Sequence, residues 1–297
     1  MNTLQRLCAL IVPFLILSAP PAAAQPPGAL AKDAPAPTCD RSNFRVLVDV
    51  GHTNSAGGAL SSRGTFEYEF NLRLAGEIED SLLEAGFTKA MLMVSTERPT
   101  AGLFHRAAAA SSLRADLFLS IHHDAVPDRF IEKWDYEGVR REYSDRFKGH
   151  SIFISRDNRD YGGSLLFGQM LGNSLKARGL QFTPHYVEKF MGSRRRTLVD
   201  AQAGVYRYDQ LIVLRHTQMP AVLLEAGSIV NRDEELELAR PERRALISAA
   251  ATEAVETFCA ARINHQLPLV AQHVHNVSVA MRARAAHPRG QRSSGLR

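Results

Sequence analysis

The sequence predicts a single α/β domain built on a mostly parallel, twisted sheet with helices covering both faces. Two observations carry this. Between Asn43 and about Arg262, apolar runs of strand length alternate with stretches whose apolar residues recur at helical spacing, and strands separated by helices form a parallel sheet covered on both sides. The chain also has material for a sizeable core, with 45% hydrophobic and 23% charged residues, ordinary proportions for a globular protein.

Phe44 to Val50 reads as a first buried strand, and Glu67 to Ala85 as a helix with Phe70, Leu74, Ile78 and Leu82 on one face. Gly86 ends that helix. Ala90 to Val94 is the next strand, Phe104 to Leu113 a helix, Asp116 to His122 a strand and Ser151 to Ser155 another. Ser164 to Arg178 reads as helical, Leu211 to Leu214 and Ala221 to Glu225 as strands, and Glu234 to Ala261 as helical with a break near Pro241. No repeat of solenoid period is present.

The two ends have a different character. Met1 to Ala24 has the parts of a secretory signal: Arg6, the apolar run Leu7 to Leu17, and Ala22-Ala23-Ala24 as a cleavage site. The run is shorter than the roughly 20 residues of a spanning helix. Export is expected, with the periplasm as destination, and it leaves roughly 270 residues, enough for one large domain or two small ones. Residues 25–42 read as a Pro/Ala-rich linker, with Gln25 to Thr38 expected to have no fixed structure. Cys39 and Cys259 flank the expected domain, either bonded in an oxidising compartment or as two unlinked thiols.

The net charge of +5 belongs to the tail. Residues 263–297 hold Arg282, Arg284, Arg289, Arg292 and Arg297 and no acid. An exported protein rarely meets nucleic acid, so the reading is either a disordered, solvated basic tail or one in weak contact with anionic envelope polymers or a membrane surface.

In open sheets of this kind, sites lie beyond the carboxyl ends of the strands. The first strand ends in Gly51-His52, the Asp116 strand in His122-His123, and the late strand in Glu225-Ala226-Gly227. Glu67 joins them at the start of the first helix, brought there by the glycine-rich loop Gly57 to Gly64. Two histidines and a carboxylate with one open position are a common catalytic zinc set, because the vacancy admits water. No HExxH helix and no serine-hydrolase elbow is present. His105, His150, His185 and His216 have no evident partner and read as surface or hydrogen-bonded residues.

These segments resemble the zinc-dependent N-acetylmuramoyl-L-alanine amidases of the type 3 family. The resemblance covers about Arg45 to Ala261. It is carried by Val48 to His52, by Gly64 to Glu67 with Asn71-Leu72, by Ala115 to His122, by Gly204 to Arg207 with Leu211 to Arg215, and by Pro220 to Gly227. It implies one zinc ion per chain on His52, Glu67 and His122. It also implies Glu225 as the catalytic carboxylate, taking a proton from water and passing it to the nitrogen that leaves as the stem peptide is cut from peptidoglycan. The implied partners are peptidoglycan and, as in some relatives, an activator protein; a monomer is expected. Two alternatives are a zinc peptidase or amidase on another exported substrate, and a non-catalytic wall-binding relative. The second would have lost the metal set or the carboxylate at 225, and all four groups are retained.

Some positions depart from the family pattern. A small residue and Asn usually follow the zinc histidine, where this chain has His123 and Asp124. Adjacent strand residues point to opposite faces, so only one of His122 and His123 is expected at the metal; the reading takes His122, and the resemblance implies Glu67 over Glu69, because the family motif sets its spacing from Gly64 and Asn71. Ser228 replaces the usual aromatic or apolar residue. Residues 127–150, with Trp134, Tyr136 and Tyr143, are an insertion expected as a lid or substrate-contact loop, or else a surface excursion. Arg194-Arg195-Arg196 is either a carboxylate-binding group or a solvated loop.

Overall fold

The computed structural model describes residues 39–262 apart from Arg98. The expected signal segment, linker residues 25–38 and the basic tail lie outside the described residues. In chain order the elements are β1 (Val46–Val50), α1 (Glu67–Glu84), β2 (Met91–Met93), α2 (Pro99–Ser112), β3 (Leu117–Asp124), β4 (Glu132–Tyr136), β5 (Val139–Tyr143), β6 (Ser151–Ile154), α3 (Tyr161–Ala177), β7 (Thr197–Asp200), β8 (Val205–Arg207), α4 (Ile212–His216), β9 (Ala221–Ser228), α5 (Arg232–Ala239) and α6 (241–262). Seven strands form the main sheet in the order β2-β1-β3-β9-β6-β8-β7. The β2-β1-β3-β9 run and the β6-β8 pair are parallel, while β6 meets β9, and β7 meets β8, antiparallel.

β1 is buried along its whole length because both faces of the sheet are covered. Val46, Val48 and Val50 point into a core shared with α1, α3 and α6, including Phe70, Leu74, Ile78, Phe167 and Phe258. Leu47 points the other way, into a core with Phe118, Phe153, Tyr206, Val213 and Leu214. Burial of each large apolar side chain contributes about 1.5–3 kcal/mol. α1 ends as expected: Gly86 takes φ +92°, and Phe87 N–H donates to the Leu82 carbonyl at 2.9 Å.

Two expectations are corrected. Leu211 to Leu214 is not a strand; the segment enters α4, with Val213 and Leu214 packed on the second face. An apolar run this short has no periodicity to separate strand from helix. The strands at this end of the sheet are instead β7 and β8. Half of residues 127–150, the segment expected as a lid or substrate-contact loop or else a surface excursion, is a β4–β5 hairpin closed at Glu137-Gly138, both at positive φ, the backbone that a two-residue hairpin turn requires. The hairpin is fastened to the domain by Trp134 Nε1, which donates to the Ser62 carbonyl at 3.0 Å, and by the Arg232 guanidinium, 3.8 Å from the Tyr143 ring centre.

The second correction concerns residues 39–42, read above as the end of the linker. Cys39 is disulfide-bonded to Cys259 of α6, and Arg41 donates to the Ala85 carbonyl and pairs with Glu256. The open question of the thiols is thereby answered. Among the described residues, no helix is long and apolar enough to cross a membrane.

Candidate metal centre and active site

β1 ends where its last residues are bonded to β3, with Gly51 N–H donating to the Ile121 carbonyl at 2.9 Å. His52 then takes φ +66°, a left-handed backbone that carries its ring towards β3. Arg106 of α2 donates to the His52 carbonyl and lies 3.5 Å from Asp49, which accepts from Ser120 Oγ at 2.7 Å. A buried guanidinium thus holds the chain where it leaves the strand.

Glu67 sits in the first turn of α1, where the helix dipole favours a negative charge. Its Oε2 is 2.9 Å from His52 Nε2 and its Oε1 is 2.9 Å from His122 Nδ1. Burial raises the Glu67 carboxyl, but hydrogen bonds and charge from His122 and His52 outweigh it and hold the group well below the usual carboxylate range. One ligand atom from each of His52, Glu67 and His122 falls within a cluster 4.8 Å across.

The residues present fit a zinc ion. Two imidazoles and a carboxylate are its ordinary donors, and the surrounding backbone is cut away to admit them. A Cβ on Gly58, at φ +76°, would lie 2.5 Å from Glu67 Oε2 and 2.7 Å from the His52 ring; one on Gly51 would lie 2.5 Å from the His122 ring. Asn71 braces the set from α1, donating to the Gly51 carbonyl at 3.1 Å and to Glu67 Oε1 at 3.3 Å.

His123 points away from this cluster. It is buried with Nδ1 2.7 Å from Asn71 Oδ1, and burial pulls its pKa down to about 3. Glu69 is exposed and paired with Arg73. Both competitors are therefore outside the cluster.

Glu225 stands directly across from His122 in the β3–β9 register. Its Oε2 is shielded from solvent and has no hydrogen-bond partner among the described residues. Burial, then the charges of Asp124 and Glu67, push its carboxyl well above the usual range, with Arg194 opposing. Beside it Asp124, whose carboxyl burial pushes up to about 6, accepts from the Tyr186 hydroxyl at 2.8 Å. Arg194 donates to the Ala125 carbonyl at 2.9 Å, and Arg194 and Arg196 line a cavity of about 130 Å³ with Glu225, Asp124 and Tyr186. Ser228 N–H donates to Glu234 at 2.8 Å.

The bracing groups escaped the sequence reading. Asn71 was visible only as part of a motif, and Tyr186 meets Asp124 from far along the chain. Arg106 left a usable signal, a lone cation beside the alanine run Ala107 to Ala110 in a helix that must cover the sheet. His105 pairs with Glu97, His216 packs against Phe104, and His150 and His185 are buried.

Comparison with known proteins adds relatives to this geometry. The chain is 26% identical over 245 residues to N-acetylmuramoyl-L-alanine amidase AmiC of Escherichia coli, covering 74% of this chain and 52% of that protein. It is 24% identical over 218 residues to the probable cell wall amidase LytH of Staphylococcus aureus, covering 73% and 58%. The chain thus spans about half the length of the curated relatives it matches. Among solved structures, the amidase Ami1 of Mycobacterium smegmatis superposes with a TM-score of 0.56 at 19% identity, covering 74% of this chain and 99% of that one. The CwlD amidase of Clostridioides difficile, solved in complex with the GerS lipoprotein, gives 0.53 at 19% identity, covering 74% and 100%. These two likenesses show a shared fold. Residues 46–257, from the first residue of β1 into α6, match the Amidase_3 family, N-acetylmuramoyl-L-alanine amidase, and the chain belongs to that family.

Proposed function

We propose that this chain is an exported zinc enzyme that hydrolyses the amide between the lactyl group of N-acetylmuramic acid and the L-alanine of the peptidoglycan stem peptide. The observation that carries the reading is the position of Glu225, one strand over from His122 and with an Oε2 that has no hydrogen-bond partner among the described residues, beside the His52, Glu67 and His122 cluster.

His52, Glu67 and His122 would hold the ion, and Glu225 would stay off it, since a fourth protein ligand closes a site to water. Zinc, when bound, supplies Lewis acidity for the carbonyl and a lowered pKa for a bound water. Glu225 takes the proton as the water oxygen bonds to the carbonyl carbon, and returns it to the nitrogen as the carbon–nitrogen bond breaks. The products are a lactyl carboxylate and a free peptide amine. The desolvated setting of Glu225 raises its proton affinity and so suits it to both transfers. Asn71 and Arg106 fix the ligand geometry from behind.

Peptidoglycan is the proposed partner, the periplasm the proposed location and a monomer the proposed state. CwlD in complex with a lipoprotein supports an activator as a further partner. The test is release of stem peptide from purified peptidoglycan by the mature protein and by Glu225→Gln, with zinc measured in both. Release by the first and none by a zinc-loaded second is the expected result; a zinc-loaded mature protein that releases nothing, with or without an activator, would overturn the reading.

A further inference from the structure

A cavity of about 520 Å³ lies beside the metal cluster, and its wall begins at Gly58, the residue whose missing side chain makes room for Glu67 and His52. One side is the Gly58 to Phe66 loop, on which Leu60 and Phe66 are exposed although large and apolar. The other side is the insertion: Asp128 and Ile131, then Arg140, Arg141 and Glu142 of β5. The volume is that of a small-ligand site, and the mixture of apolar wall and a few polar groups is usual for one.

The cations of this wall are not equivalent. Arg140 is exposed and bonded to Asp135 at 3.0 Å. Arg141 alternates to the inner face of the hairpin with Tyr143, opposite Trp134. Its guanidinium lies on Gly64, where a Cβ would come within 2.2 Å of Nη1. Among the described residues Arg141 has no acidic partner, and its Nε is buried without a hydrogen bond. A half-buried guanidinium in this state is completed by a planar anion that accepts two parallel hydrogen bonds, and a carboxylate has that shape. Asp128 and Glu142 repel an anion elsewhere along the same wall, which restricts it to the Arg141 corner.

We propose that Arg141 is a specificity-determining residue that anchors a carboxylate of the stem peptide in this cavity. The inference rests on the function proposed above. In stem peptides the residue after alanine is a glutamate linked through its side chain, so its α-carboxyl projects from the backbone next to the scissile amide, either free or capped as an amide. The hairpin thereby selects the free acid.

The test separates the anchor from the activity. Mature, zinc-loaded wild type, Arg141→Gln and Arg141→Lys are titrated calorimetrically with the tripeptide L-alanyl-γ-D-glutamyl-L-lysine and with its glutamyl α-amide. Muramoyl forms of both peptides are then offered for hydrolysis. Wild type is expected to bind the acid more tightly on the order of tenfold, the usual strength of a hydrogen bond to a charged group. Arg141→Gln should bring that ratio near one, and Arg141→Lys should keep part of it. A variant that merely loosened the hairpin would weaken both peptides together, so the ratio is the readout. Equal binding of acid and amide by wild type, or an unchanged ratio in Arg141→Gln, overturns the anchor. Hydrolysis with no such ratio would leave the activity standing without the anchor, whereas a ratio without hydrolysis, with or without an activator, would leave the anchor and remove the amidase reading.

Discussion

Oε1 of Glu67 lies 2.9 Å from Nδ1 of His122, although 55 residues separate them in the chain. The other carboxylate oxygen makes the same approach to His52. One side chain at the first turn of α1 therefore joins the ends of β1 and β3, and the three side chains form a unit rather than three independent contacts.

Loss of this central residue should dismantle the metal site. Glu67→Ala is expected to bring zinc content from one ion per chain to below a tenth after dialysis. The chelator-treated wild type should melt at a lower temperature than the zinc-loaded form, by a margin equivalent to about 2.7 kcal/mol when free zinc is a hundred times its dissociation constant. Retention of stoichiometric zinc by Glu67→Ala would show that the cluster is not the metal site.

The glycines beside the ligands should matter as much as the ligands. Gly58→Ala places a methyl group 2.5 Å from Glu67 Oε2 at φ +76°, and Gly51→Ala places one 2.5 Å from the His122 ring. Both variants are expected to lose most of their zinc, as measured by metal analysis of the dialysed proteins. Far-ultraviolet circular dichroism should stay that of wild type. Gly76→Ala is the control: nothing lies within 4 Å of its added methyl, and its zinc content should not change.

Glu225→Gln tests the proton transfers alone. The substitution keeps the shape of the side chain and removes its basicity, so zinc content should hold while kcat falls by about 10² to 10⁴. A wild-type rate in a zinc-loaded Glu225→Gln protein would require a different base.

Much of this site was legible because it lies where parallel strands end. His52, His122 and Glu225 each close a run that reads as a buried strand, and a parallel sheet delivers such ends to one edge. Glu67 was legible through the resemblance, whose motif sets its spacing from Gly64 and Asn71. What was not legible depends on contacts across the chain. Leu211 to Leu214 is apolar enough for a strand, but Val205 to Arg207 takes the place beside β6 and the later run packs as a helix. Arg141 looked like one charge among several in a charged insertion; only the hairpin register and the surface of Gly64 distinguish it from Arg140.

The disulfide closes most of the domain into one loop. Cys39 and Cys259 are 220 residues apart in sequence, and Cys39 packs against the core that holds Phe258. Cross-linking so long a loop restricts the unfolded chain, and removal of such a bond costs about 2–5 kcal/mol. Cys39→Ser with Cys259→Ser should therefore unfold at lower denaturant concentration, without change in zinc content, because Cys39 precedes β1 whereas His52 lies beyond its other end. An unchanged midpoint would mean that the unfolded chain gains nothing from release of the bond.

His150 should govern part of the acid sensitivity of the fold. It precedes β6, both its ring nitrogens are buried without partners among the described residues, and burial and then the charge of Arg243 bring its pKa down to about 4 from an ordinary 6.5. A histidine depressed in the folded state contributes stability that is complete above its unfolded pKa and is lost as pH falls towards the folded one. The window is thus pH 6.5 to 4, and a shift of this size corresponds to about 3 kcal/mol at its lower edge. The residue lines a small cavity whose apolar part is Leu180, Phe182 and Ala203 and whose polar part is Lys176, Gln181 and Gln202, and the apolar part can receive a leucine side chain. In metal-free protein, His150→Leu should flatten the dependence of the unfolding free energy on pH across this window, measured by urea titration at half-unit steps, and should be more stable than wild type at pH 4.5. A variant that follows the wild-type slope would assign the acid sensitivity to other groups, such as His185, whose pKa burial also lowers to about 4.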